Sequence, residues 1–317
     1  MNTCKPINVL IEEFLSERDC RPNSISNYRQ TLSTWVEWMV KHGDLKSPTK
    51  AHLLMYREYL SKTRGVTTVD SYMTSVKMLF AYLSFKEIHP NVSLGIKRLR
   101  KSTEHRRGYL TLDQVSQLLE SMHTDTLIQK RNYAIINLMV RTGMRCVEVT
   151  TLDYSDLIMN ASGYELRIQR KGRNEKDATV CITDSTALPM VDYLNDRDMM
   201  MDRSPLFARC GQVSGKRIST QTISDIVMTA LHSININSKN ITAHSLRHTA
   251  AMCAVRAGAS VYEVQQMLGH TNPNTTMIYI RALALENRES ANALRFIDKA
   301  YQIASKPAKN IEILASP

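Results

Sequence analysis

The sequence predicts a mainly α protein with one small antiparallel β-sheet. It is arranged as an N-terminal helical domain over 1–96, a basic linker over 97–108, a mixed α+β domain over 109–304 and a tail over 305–317. Three observations predict this. Apolar residues recur at helical spacing through most of the chain, and one stretch alone, Tyr164 to Ile182, alternates instead. Between the two helical regions lies a run of bases with almost nothing apolar to bury.

The first domain reads as a bundle of about four helices. A short helix covers Val9 to Leu15. Pro22-Asn23-Ser24 introduces a second, in which Ile25, Tyr28, Leu32, Trp35, Val36 and Met39 share a face before Gly43 ends it. A third carries Leu53, Leu54, Tyr56 and Leu60 up to Gly65. A fourth starts near Val66, lines up Tyr72, Val76, Leu79, Phe80 and Leu83, and stops before Pro90. The linker Lys97-Arg98-Leu99-Arg100-Lys101-Ser102-Thr103-Glu104-His105-Arg106-Arg107-Gly108 holds six strong bases and one acid. Next to a polyanion, Lys97, Arg98, Arg100, Lys101, Arg106 and Arg107 are candidate phosphate contacts.

In the second domain, Thr111-Leu112-Asp113-Gln114 has the capping-box pattern of a helix start, and a helix through Arg131 to Val140 ends at Gly143. Leu166, Ile168, Val180 and Ile182 flank the polar centre Lys171 to Asp177, which reads as a hairpin. From Ser185 the helical pattern returns. A last segment, Glu286 to Ala304, repeats Ala291, Leu294, Ile297, Ala300 and Tyr301 on one face.

Composition narrows the function classes. In 317 residues, 43% are hydrophobic and 22% charged, enough apolar material for a core in each domain, so disorder as the main state is excluded. The longest nearly apolar run, Tyr133 to Val140, is far short of the ~20 residues that cross a bilayer. The N-terminus lacks a secretory pattern, and six scattered cysteines form no C-x-x-C pair; a cytoplasmic protein with reduced thiols is expected. A formal net charge of +11 fits a polyanionic partner.

Three segments carry chemistry. The first is Ala134-x3-Leu138-x3-Thr142-Gly143-Met144-Arg145-x2-Glu148-x3-Leu152, the second His244-Ser245-Leu246-Arg247-His248-Thr249-x-Ala251, and the third Leu268-Gly269-His270-x5-Thr276-x2-Tyr279. His244 and Arg247, three apart, share a helix face and can address one small anion. Asn272-Pro273 looks like the cap and first residue of a helix that carries Tyr279. Taken singly, His244 fits a structural histidine, Arg145 a salt-bridge partner for Glu148, and Tyr279 a half-buried packing residue. Their order and spacing together point further.

With these motifs the chain resembles the tyrosine recombinase, or phage integrase, family over nearly its whole length: T-G-x-R-x-x-E-x-x-x-L, H-x-L-R-H-T and L-G-H-x(8)-Y. Its layout is most like that of the two-domain Xer recombinases. The resemblance implies a helical core-binding domain, a catalytic domain, and an active site of Arg145, Lys171, His244, Arg247, His270 and Tyr279. The hairpin departs from the family's common G-K-G-x-K-x-R and reads Arg170-Lys171-Gly172-Arg173-Asn174-Glu175-Lys176. Lys171 keeps the expected position, and Lys176 is the alternative proton donor.

The chemistry of these residue types agrees. A tyrosine hydroxyl can conserve the energy of a phosphodiester in a covalent ester, and two guanidiniums can hold the charged nonbridging oxygens. His244 can help accept the phenolic proton, His270 can donate to the phosphate, and a hairpin lysine can protonate the leaving 5′ oxygen. No carboxylate cluster with metal-ligand spacing accompanies them, so neither metal nor cofactor is expected. By resemblance, the partners are double-stranded DNA with inverted-repeat core sites and a homotetramer in which each C-terminal helix docks on a neighbour, with accessory DNA-bending proteins possible. The expected reaction is site-specific recombination through a 3′-phosphotyrosine and a Holliday junction, serving a mobile element or chromosome dimer resolution. A type IB topoisomerase-like nicking and resealing enzyme, and a catalytically silent DNA-binding protein, are the alternatives.

Overall fold

The computed structural model describes residues 5–99, 108–170, 173, 175–197, 201–210, 215–238, 240–270 and 272–286. The chain divides into two compact units, 1–104 and 105–317.

The first unit is built from α1 (Ile7–Ser16), α2 (Pro22–His42), α3 (Lys50–Thr63) and α4 (Val66–Phe85). Proline at the first position of α2 sacrifices no helical hydrogen bond. α3 starts with a reciprocal cap: Thr49 Oγ1 accepts from His52 N, and His52 Nδ1 accepts from Thr49 N at 3.2 Å. α4 opens directly after Gly65. The apolar faces meet in one core that includes Phe14, Leu32, Trp35, Tyr56, Leu60, Leu79 and Phe80. Trp35 and Phe80 pack edge to face with centroids 5.5 Å apart. One buried polar contact, Thr31 Oγ1 to Ser75 Oγ at 2.7 Å, joins α2 to α4. At the end of this unit Lys97 and Arg98 are exposed, and Lys97 O accepts from Arg57 Nη1 at 3.3 Å.

In the second unit come α5 (Leu112–Glu120), α6 (Leu127–Thr142), α7 (Cys146–Thr150), β1 (Leu157–Asn160), β2 (Gly163–Ile168), β3 (Ala178–Ile182), α8 (Asp184–Asn195), α9 (Thr220–Ser233), α10 (Ala243–Arg256), α11 (Val261–Leu268) and α12 (Pro273–Glu286). The fold is mainly α with a small antiparallel sheet, as the sequence predicts. The sheet has one strand more than the expected hairpin. β1 pairs with β2 from Leu157↔Leu166 to Asn160↔Gly163, and β2 with β3 from Tyr164↔Ile182 to Ile168↔Ala178. β1 is four residues long and half exposed, so it has no alternation to read. The buried strand residues Leu166 and Ile168 join Ile135, Leu138, Met190 and Tyr193 in one core. α10 packs against α6, α9, α11 and α12, which makes it the hub of the unit.

Among the described residues no helix is long and apolar enough to cross a membrane. Arg100, Lys101, Arg106 and Arg107 of the linker, Lys171, the expected terminal helix beyond 286 and the tail at 305–317 lie outside the described residues.

Trp35 is fully buried, whereas Val40, on the same helix, is 64% exposed. Trp35→Ala should lower stability by about 3–5 kcal/mol, as expected for a large cavity. Val40→Ala should change it by less than about 0.5 kcal/mol. Urea denaturation followed by Trp38 fluorescence measures both; equal effects would contradict this core.

Candidate active site

α6 ends at Gly143, whose φ of 66° is left-handed and suits glycine. A side chain at 143 would also clash, since a Cβ there would lie 2.6 Å from Leu268 Cδ2. Two residues on, Arg145 caps α7. Its backbone N donates to Glu148 Oε2 at 2.9 Å and its Nη1 to Glu148 Oε1 at 2.8 Å. Glu148 is fully buried, so one carboxylate both starts the helix and aims the guanidinium.

α10 supplies His244, Arg247 and His248. Arg247 is 2% exposed, and its hydrogen bonds go to the ends of two other helices: Nη1 to Gly143 O at 2.7 Å and Nη2 to Leu268 O at 2.5 Å. Burial, and then the nearby Arg145, bring its pKa down to about 10. Tyr279 lies close enough that its charged form would raise that value.

α11 ends at Gly269, a second left-handed glycine with φ of 61°. The turn presents His270, whose Nδ1 lies 2.9 Å from the hydroxyl of the fully buried Thr276. When that hydroxyl donates to Nδ1, the imidazole proton sits on Nε2, as a phosphate donor needs. The ring's pKa is pushed down to about 4 by burial first, then by Arg247, Arg145 and Arg170, with Glu148 opposing them. His270 is therefore neutral near pH 7.

These turns open onto a cleft of 480 Å³. Arg145, His270 and Gly269 line it, with Arg170, Arg173, Asp177, Asn272 and Thr275. Arg173 pairs with Asp177 at 3.5 Å. Most of its charge is positive, so the cleft suits a small anion.

The five described residues of the expected six thus take different places. Arg145 and His270 line the cleft, and Arg247 is buried behind the two turns that carry them. His244 is exposed, its ring edge to face with His248 at 4.9 Å. Tyr279 is only 3% exposed and is not among the described residues lining the cleft. Its ring packs with Ala251, Met252, Val255, Val264 and Leu268, and its hydroxyl lies 2.8 Å from His248 Nδ1. The apolar neighbours of the phenol draw it into a small core. Lys176, the alternative proton donor, has its ammonium on Asp153, at 2.5 Å, and on Asp156. Both contacts are ion pairs, and Arg217 also engages Asp153.

His248 and Arg170 were not singled out in the sequence. His248 lies inside the H-x-L-R-H-T run, and one turn of helix separates it from His244, so their common direction was readable there. Arg170 stood as a departure from the hairpin pattern, with nothing local to say what it meets.

Residues 108–286 match the family described as the phage integrase family. A tyrosine recombinase XerC of Caldanaerobacter subterraneus subsp. tengcongensis is 31% identical over 235 residues, 73% of this chain and 62% of that protein. A tyrosine recombinase XerD of Oceanobacillus iheyensis is 28% identical over 283 residues, 85% of this chain and 92% of that protein. Among solved structures, the XerH site-specific recombinase in a post-cleavage complex with palindromic difH substrate shares the fold, with a TM-score of 0.73 at 21% identity, covering 92% of this chain and 85% of that one. A lambda integrase dimer on a COC′ core site does so with a TM-score of 0.66 at 15% identity, covering 86% and 94%.

His270 binds its proton at about 4 when folded, below its ordinary 6.5, so between these values the unfolded chain holds more protons. Stability should therefore fall as the pH drops from about 6.5 to about 4, and His270→Gln should flatten that loss. NMR titration of the imidazole should find a midpoint near 4; a midpoint near 6.5 would contradict the burial and cationic surroundings described here.

Proposed function

Because this chain belongs to the phage integrase family of tyrosine recombinases, we propose that it is a site-specific DNA recombinase whose Tyr279 becomes esterified to a 3′ phosphate. The observation that carries this reading is that Arg145 and His270 line one cleft from two glycine turns, which the buried Arg247 joins from behind. In the reaction, a scissile phosphate enters the cleft. Arg145 and Arg247 hold its nonbridging oxygens, and His270 donates from Nε2. The phenolic oxygen of Tyr279 bonds to phosphorus and its proton passes to the imidazole pair His248 and His244. The bond from phosphorus to the 5′ oxygen breaks, and Lys171 protonates that oxygen. In line attack requires α12 to present the hydroxyl that now rests on His248.

The freed 5′ hydroxyl of one duplex then attacks the phosphotyrosine of another, which regenerates Tyr279 and builds a four-way junction. The partner is double-stranded DNA, held as paired inverted half-sites by four copies of the chain that exchange their C-terminal segments beyond 286, with or without DNA-bending proteins. The work is cytoplasmic, and it resolves chromosome dimers or moves a genetic element. Lys97 and Arg98, with Arg100, Lys101, Arg106 and Arg107, contact phosphates beside the core site.

A nicked suicide duplex is the direct test. Wild-type protein should accumulate a covalent adduct in EDTA, and Tyr279→Phe should form none while still binding the site. An adduct on another residue, or a strict need for magnesium, would overturn the assignment. Relaxation of one duplex without joining two would instead make the protein a nicking and resealing enzyme. Replacing Lys97 and Arg98 by alanine should lower the slope of log K against log salt by about 2; an unchanged slope would remove the linker from the interface.

A further inference from the structure

β2 ends at Ile168, and two hydrogen bonds link described residues just beyond it. Gln169 Nε2 donates to Arg173 O at 2.7 Å, and Arg173 N donates to Arg170 O at 3.0 Å. From just beyond β2, Arg170 reaches to the C-terminus of α11. There Nη1 donates to Leu268 O at 3.3 Å, and Nη2 donates to Met267 O at 3.3 Å and Gln266 O at 3.4 Å. These are carbonyls of a helix's last turn, where the dipole favours a cation; Gln266 O also accepts from Gly269 N.

Each of the three bonds is long and weak alone, so the contact rests on the fork and on packing. Gly269 completes it. A Cβ at 269 would lie 2.6 Å from Arg170 Nε and 2.7 Å from Cζ, so the guanidinium occupies the place a side chain would take. Leu268 O is shared, accepting from Arg247 on α10 and from Arg170 at the hairpin. The turn that presents His270 is thus gripped by two guanidiniums from different elements.

We propose that Arg170 is a positioning residue for strand cleavage: it fastens the β2 end of the hairpin to the α11–Gly269 turn, so that the place of His270 in the cleft depends on the hairpin. The glycine common at this position in the family's hairpin pattern has no side chain to make the contact, and a lysine has a single ammonium that cannot bridge the spread carbonyls. The proposal rests on the recombinase reading for its consequence and on geometry alone for the contact.

Three measurements on the full chain separate these. Without DNA, the amides of Gly269 and His270 are protected by bonds to Gln266 O and Gln265 O, so hydrogen exchange reports on this turn. Exchange there should speed by about tenfold or more in both Arg170→Lys and Arg170→Ala, with exchange in α6 unchanged. The His270 imidazole, faced by Arg247, Arg145, Arg170 and Glu148, should also titrate at higher pH in Arg170→Ala. On suicide DNA, both variants should lose about 10²-fold in cleavage rate while binding the site within about threefold of wild type. Unchanged exchange in both variants overturns the proposal. So does a lysine variant that cleaves like wild type while the alanine variant loses only affinity, because Arg170 would then be a simple phosphate contact. If wild-type protein forms no adduct, the recombinase reading fails, and hydrogen exchange still decides whether Arg170 holds the turn.

Discussion

The second unit is organised around one buried guanidinium. Arg247 donates to Gly143 O and to Leu268 O, and through these two carbonyls it joins the end of α6 to the end of α11. A buried cation is tolerable only when its donors are satisfied, and helix C-termini are where unsatisfied carbonyls are available. The two turns also interlock sterically, because the bare α-carbon of Gly143 lets Leu268 come close. Arg145 follows one turn and His270 the other, so a single side chain relates two residues that are 125 positions apart in sequence.

Around this joint the charges are layered. Glu148 lies buried behind Arg145 and holds it by two bonds, leaving the cationic face toward the cleft. His270 stays neutral among three arginines, which keeps a donor beside them without adding to their repulsion. On the hairpin, Lys176 and Arg217 meet at Asp153, and Lys176 also reaches Asp156; this ties the base of β3 to the segment before β1. The hairpin is thereby fixed at its base by ion pairs and, at the end of β2, by Arg170 on α11. The cleft is a product of these anchors more than of any one element.

The candidate nucleophile stands apart from that cationic wall. Tyr279 belongs to a small core with α10 and α11, and His248 holds its hydroxyl. A phenol is both a large apolar ring and a polar tip, and here each half has its own partner. The position of the hydroxyl is set by packing of α12 against α10 and α11, which is a softer constraint than the bonds that hold Arg145 and Arg247.

The residue types of the site, their order, and the mainly helical fold with its hairpin were determined by sequence, because helical spacing, capping residues and turn glycines are local signals. Gly143 and Gly269 were legible as helix stops, and Arg145, Arg247 and His270 as cations or donors near them. Tertiary structure decided which way those side chains face. That Arg247 lies behind the cleft, that Tyr279 meets His248, that Arg170 caps α11 and that Lys176 is engaged by aspartates all depend on contacts between segments distant in the chain. The strand β1 escaped for the complementary reason: its four residues carry too little pattern, and only pairing with β2 makes them a strand.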